Sequence, residues 1–149
     1  MDIYLLLFLI FVAAPAGTGI HEFGHIIGAK SVGADKMLLS IGVGTIVYRS
    51  MWKKINITVR AFFFIGGMAC SERKIPYRPR ERIRIAVLGP LNSFLATGFC
   101  YALYAVYPNG YLLLFLLFNL WIAAVNTIPF RFKGKQSDGY TILRIIMQK

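Results

Sequence analysis

The stretch that decides the fold is residues 3–30, IYLLLFLIFVAAPAGTGIHEFGHIIGAK. From Ile3 to Ile20 it has no charged residue, and extending it to Ala29 adds only Glu22. About 20 apolar residues span the hydrocarbon core of a bilayer, so this segment is expected to be a transmembrane helix. It also holds both histidines of the chain, in the sequence His21-Glu22-Phe23-Gly24-His25. Residues i and i+4 share one face of a helix, so two imidazoles can reach one ion. Glu22 sits roughly 60° around the helix from His25, near enough to touch a water on that ion without being a ligand. Two nitrogen ligands beside a carboxylate base are the parts of a zinc site for hydrolysis. Ionisable groups at membrane depth are costly and mark function. His21 precedes Lys30 by nine residues, about 13 Å along a helix, which puts the site below the membrane surface and towards the inner end of the span.

Two more uncharged apolar runs follow, at about 85–107 and 110–130. With the first, at about 3–30, they predict three transmembrane helices. Pro15 is expected to kink the first, and Gly17 and Gly19 offer close backbone approach. In the second, Gly89-Pro90 and Asn92-Ser93 interrupt the apolar pattern. They suit a kink with Asn92 bridging helices, or the wall of an active site. Pro129 is expected to end the third. Between the first two spans, Met37–Tyr48 and Ile55–Met68 are rich in Ile, Val, Thr and Phe, and Ile55, Ile57 and Val59 alternate with polar residues. They read as short β-strands. An exposed strand edge could hold an extended peptide by main-chain pairing. Glu72–Arg84 reads as a solvated basic connection, and Tyr140–Lys149 as a short tail helix. The fold class is thus a mainly α integral membrane protein of one domain, 1–149, with three spans and a β-containing segment, 31–84, between the first two.

The chain has 149 residues, a mean hydropathy of +0.61 and a net charge of +11. The distribution of charge argues against nucleic acid as a partner. Twelve of the 17 Lys and Arg residues lie between Lys30 and Arg84, and four more between Arg131 and Arg144, whereas Pro108-Asn109-Gly110 is uncharged. By the positive-inside rule the N-terminus lies outside, and 31–84 and the tail 131–149 lie in the cytosol against anionic lipid. A multi-pass protein of a prokaryotic cytoplasmic membrane is expected. The acidic start Met1-Asp2 argues against a cleaved signal peptide. Cys70 and Cys100 suggest no disulfide framework.

A catalytic zinc needs a third protein ligand and an open position for water. With both histidines used, a carboxylate is required. Asp35, Glu72 and Glu81 lie in the basic segment, where ion pairing explains them; Asp138, beside Gly139 after the third span, is the leading candidate. Rival readings are a non-catalytic metal-binding scaffold or client-binding protein, and a metal transporter. The intact Glu22 argues against the first, and the scarcity of intramembrane ligands against the second.

The order of motifs resembles the site-2 proteases, intramembrane zinc metalloproteases. They are HEFGH at His21–His25, SIGVG at Ser40–Gly44, IGG at Ile65–Gly67, GPLN at Gly89–Asn92, NTIP at Asn126–Pro129 and DG at Asp138–Gly139. The resemblance implies one zinc per chain held by His21, His25 and Asp138, Glu22 as general base, and Asn126 helping to hold substrate. Gly66, Gly67 and Asn92 are further candidates for substrate contact. Substrates would be membrane proteins or remnant signal peptides, and a regulatory membrane protein is a possible partner. The stretch Phe130–Ser137 is longer and more polar than its counterpart in that family, and the chain looks like a three-span core without PDZ or CBS modules.

Topology is tested by cysteine-accessibility labelling in a background lacking Cys70 and Cys100. A probe at Asn109 should react only from outside, and probes at Lys54 and Gln136 only from the cytosol. Cytosolic labelling at Asn109 would overturn the three-span topology.

Overall fold

In the computed structural model, which describes residues 2–132 and 134–148, three helices are long and apolar enough to cross a membrane. Met1, Lys133 and Lys149, assigned above to the two termini and the tail, lie outside the described residues. Helix α1 runs Ile3–Ser31, α2 Pro79–Val106 and α3 Gly110–Thr127. A short amphipathic helix, α4, covers Asp138–Met147.

Just before Pro15, where the sequence leads one to expect a kink, the helix has a π-helical turn, Leu9–Ala13. Pro15 has no N–H to give the preceding turn, and the widened turn is closed by the Ala14 N–H donating to the Leu9 carbonyl. Helix α2 begins six residues before the expected Ile85. Pro79 opens it without needing a donor, and the Glu81 carboxylate accepts the Arg78 backbone N–H at 2.7 Å. The basic connection is therefore shorter than the sequence suggests. Helix α2 continues through Gly89-Pro90 without a break. Helix α3 is started by Asn109, whose Oδ1 accepts the Leu112 N–H at 2.8 Å, and ends at Thr127 rather than Phe130, two residues before Pro129.

The β segment differs most from expectation. Its strands are long: β1 is Lys36–Trp52 and β2 is Ile55–Glu72. Each bends midway, so the pair folds into four parallel or antiparallel rows. The first half of β1, Met37–Ile41, is flanked by Gly67–Ser71 running antiparallel and by Ile55–Val59 running parallel. The second half of β1, Ile46–Trp52, pairs antiparallel with Ile55–Arg60 on the far side. Gly42 makes the bend possible. Its φ is +87°, and a Cβ there would lie 2.5 Å from the Phe63 Cα.

This sheet lies along α1. Met37, Leu39 and Ile55 pack with Ile26 and Ala29 at the C-terminal end of the helix and with Ala34 just beyond it. At the bend, Phe63 and Phe64 stack on Phe11 with ring centroids 6.2 and 5.8 Å away. Phe11 to Ala29 is about 27 Å of helix, most of a bilayer's hydrocarbon thickness. The bend thus lies beside the N-terminal half of α1, far along the helix from the Ile26–Ala29 end.

Helices α1 and α2 meet through glycines. A Cβ on Gly24 would run into the Leu88 carbonyl, and one on Gly28 would lie 2.8 Å from the Ile85 Cα. Gly17 lies against Phe118 and Asn119 of α3, whereas Gly19 meets only the Ile41 side chain. Close contact of backbones through small residues is the usual way helices associate in lipid, where no hydrophobic force draws them together.

Gly24→Val should therefore lower the thermal midpoint of the purified protein, by overpacking on the order of 1–3 kcal/mol. Gly98→Val, where a new Cβ meets nothing within 4 Å, should be tolerated. Equal midpoints for the two variants would refute this account of the α1–α2 interface.

Candidate active site

Helix α1 carries His21 and His25 on the face that looks towards α2 and the start of α4. Their Nε2 atoms are 3.3 Å apart. Asp138, the first residue of α4, brings one carboxylate oxygen to 3.2 Å from His21 Nε2 and the other to 3.4 Å from His25 Nε2. Among the described residues this is the one group of three side chains arranged to hold a metal ion. The other acids are occupied or distant. Asp35 accepts the Lys74 backbone N–H at 3.0 Å, Glu81 pairs with Arg73 at 2.7 Å, and Glu72 sits opposite Lys36 at the end of the sheet.

The donor set fits zinc. A tetrahedron with metal–nitrogen bonds of about 2.0–2.1 Å has edges of about 3.3–3.4 Å, close to the three separations found here. Asp138 Oδ2 is buried and accepts no hydrogen bond from the protein, so the fold leaves an anionic oxygen in want of a cation. The histidines present the correct nitrogens. His25 Nδ1 lies 2.8 Å from the Ile85 carbonyl, which can only accept; the proton must be on Nδ1, leaving the Nε2 lone pair free. His21 Nδ1 is held 3.2 Å from the hydroxyl of Ser93, which is fully buried. Both partners hold ring orientation, and the Ile85 carbonyl also fixes the tautomer of His25.

Two glycines make room for this geometry. A Cβ on Gly89 would strike the His25 ring, and a Cβ on Gly139 would strike the Thr127 carbonyl. The second contact lets α4 start tight against the end of α3. The long stretch before Asp138 is taken up by a small hairpin, β3 (Arg131–Phe132) with β4 (Lys135–Gln136). Ser137 closes its neck. Its N–H donates to the Phe130 carbonyl at 3.1 Å, and its hydroxyl donates to the Ile128 carbonyl at 2.7 Å while accepting from the N–H groups of Phe130 and Tyr140. The extra residues loop out and return, and Asp138 emerges beside the end of α3.

A cavity of about 650 Å³ opens at this cluster. Glu22 is in its wall and faces the second half of β2. Gly67 lies so near that a Cβ would be 3.0 Å from the Glu22 Cγ, and the Ala69 backbone amide meets the carboxylate. Gly67, Met68, Ala69 and Ser71 line one side of the cavity, and Asn126 another. Asn126 Nδ2 donates to the Ile122 carbonyl at 3.0 Å, and among the described residues none donates a hydrogen bond to its Oδ1. Gly66 and Asn92 are not in the lining. Gly66 has open space around it at φ +64°, and Asn92 Nδ2 donates to the Ile20 carbonyl of α1 at 2.6 Å, bridging helices.

A family model for peptidase family M50 matches residues 5–148. The chain belongs to peptidase family M50, the site-2 proteases. The match covers nearly the whole chain and takes in each member of the cluster. Sequence reasoning within this M50 chain marked Asn92-Ser93 as suited to an active-site wall but did not single out the Ser93 hydroxyl as the partner of His21. It also missed the Ile85 carbonyl, which no side-chain pattern could announce.

Purified protein should bind about one zinc, and His21→Ala or His25→Ala should each abolish binding. Ser93→Ala should weaken zinc affinity about 10- to 100-fold in chelator competition. Full zinc content with unchanged affinity in Asp138→Asn would exclude Asp138 as the third ligand.

Proposed function

We propose that this protein is an intramembrane zinc endopeptidase that hydrolyses peptide bonds in or near transmembrane segments of membrane proteins or of remnant signal peptides. The observation that carries the reading is the convergence of His21, His25 and Asp138 beside Glu22 and a strand edge with one side unpaired among the described residues. His21, His25 and Asp138 would hold the zinc. When bound, zinc supplies an acidified water and polarises the scissile carbonyl.

The remaining work falls to the chain itself. Glu22 takes a proton at its carboxylate from the attacking water and returns it to the nitrogen of the leaving amine. Among the described residues Gly67–Ser71 pairs with Met37–Ile41 alone, so its other edge, which meets Glu22 at Ala69, faces the cavity where an extended substrate could hydrogen-bond to it. Gly67, lacking a side chain, lets that substrate approach Glu22. The Oδ1 of Asn126 would accept an N–H from the opposite side of the substrate. A transmembrane helix hides its peptide bonds, so good substrates carry helix-breaking residues near the cut. Water would enter from the cytosolic side of a prokaryotic cytoplasmic membrane, with the N-terminus of the chain outside, in keeping with the charge asymmetry.

Glu22→Gln keeps the size of the side chain but cannot accept a proton. It should bind zinc as the wild type does while losing cleavage by about 10²-fold or more, measured on a purified transmembrane-segment substrate. Full turnover by Glu22→Gln would refute the mechanism. Zinc binding without cleavage of any such substrate by the wild type would favour a binding scaffold.

A further inference from the structure

The cavity carries charges that peptide hydrolysis does not use. Its two carboxylates, Glu22 and Asp138, belong to the catalytic cluster; its two remaining charged side chains are both cationic, Arg82 and Lys135. Arg82 lies on α2 one turn before Ile85, whose carbonyl holds His25. Lys135 lies on β4, three residues before Asp138. Both are exposed, and among the described residues neither has an ion-pair partner. The acids that could have neutralised them are used elsewhere, Glu81 by Arg73 and Asp35 by the Lys74 amide.

The free strand edge leads from the catalytic cluster towards these cations. A Cβ on Gly67 would meet Glu22, and Ser71, at the other end of this edge, accepts a hydrogen bond from Tyr77 at 3.1 Å; Tyr77 and Arg82 both line the cavity. Gly67 to Ser71 is about 13 Å of extended chain. A peptide paired along this edge, with its scissile bond beside Glu22, brings a group three or four residues away to Arg82 and Lys135. Arg78, Arg80 and Arg84 of the same basic run are outside the cavity lining and suffice to meet lipid headgroups.

We propose that Arg82 and Lys135 form a carboxylate subsite at the cavity mouth, selecting substrates with an acidic group three or four residues from the scissile bond. The proposal rests on the endopeptidase reading. The carboxylate can come from an Asp or Glu side chain or from the free C-terminus of a short peptide remnant. Two exposed cations favour such a group about three- to ten-fold.

The test separates binding from turnover. Zinc-loaded Glu22→Gln protein in neutral-lipid nanodiscs is titrated, by fluorescence anisotropy, with one labelled transmembrane-segment peptide in four forms. These have Glu or Gln at the fourth residue from the helix-breaking cut site, or a chain end at that position that is free or amidated. The acidic forms should bind about three- to ten-fold tighter than the neutral ones, with the difference shrinking as salt is raised. The R82Q/K135Q double variant should bind all four forms alike, and R82K/K135R should restore the preference. A Glu-only preference assigns the subsite to side chains, and a preference for the free chain end only assigns it to termini. No preference, or one that survives in R82Q/K135Q, overturns the proposal. So does a preference that appears only on adding phosphatidylglycerol, which would give the mouth to lipid headgroups. Turnover of the neutral peptide by wild-type protein and its loss in Glu22→Gln report separately on the endopeptidase reading.

Discussion

A polar group at membrane depth has no bulk water to satisfy it, so leaving one without a partner is costly. Two imidazoles and a carboxylate are therefore gathered at one point. Each outer ring nitrogen is tied off, one by a buried serine and one by a helix carbonyl. What remains unsatisfied is the inward set, two nitrogen lone pairs and one buried carboxylate oxygen. The need for a cation is thus concentrated at one place.

Much of the architecture follows from that gathering. The rings need α2 within hydrogen-bond reach of α1, which requires Gly24 and Gly28 on one helix and Gly89 on the other. The carboxylate must come from a third element, and Gly139 lets α4 begin against the last turn of α3. The Asn92 amide then binds the Ile20 carbonyl one residue before His21, fixing the pitch of α1 where the ligands leave it. The sheet supplies the fourth wall, and its bend reaches Phe11 because Gly42 relieves the strain there.

The three helices and the membrane location were legible in hydropathy, because lipid imposes a length and a composition that a sequence shows directly. His21 and Glu22 with His25 were legible because helical periodicity brings i and i+4 together. Asp138 could be reached by counting acids, but its position depends on Ser137 closing a hairpin. Hydrogen bonds among Ser137, Ile128, Phe130 and Tyr140 have no periodic signature. The four-row sheet was hidden for a related reason. Alternation reveals a strand but not where it bends, nor that Met37–Ile41 is sandwiched between two parts of the same partner. The basic run before α2 masked its first turns, since Arg80, Arg82 and Arg84 look like solvated chain until Pro79 and the Glu81 cap are recognised as a helix start.

The hairpin β3–β4 separates two quantities that are usually tied together, the number of residues between α3 and Asp138 and the place Asp138 occupies. Ser137 and Phe130 clasp the neck, so the loop beyond them can lengthen, shorten or change composition while the clasp holds. This makes the tip around Gly134 a graft point beside the catalytic cavity. A foreign sequence spliced there, such as a small reporter or an affinity epitope, would be displayed at the entrance while the cluster of His21, His25 and Asp138 kept its shape.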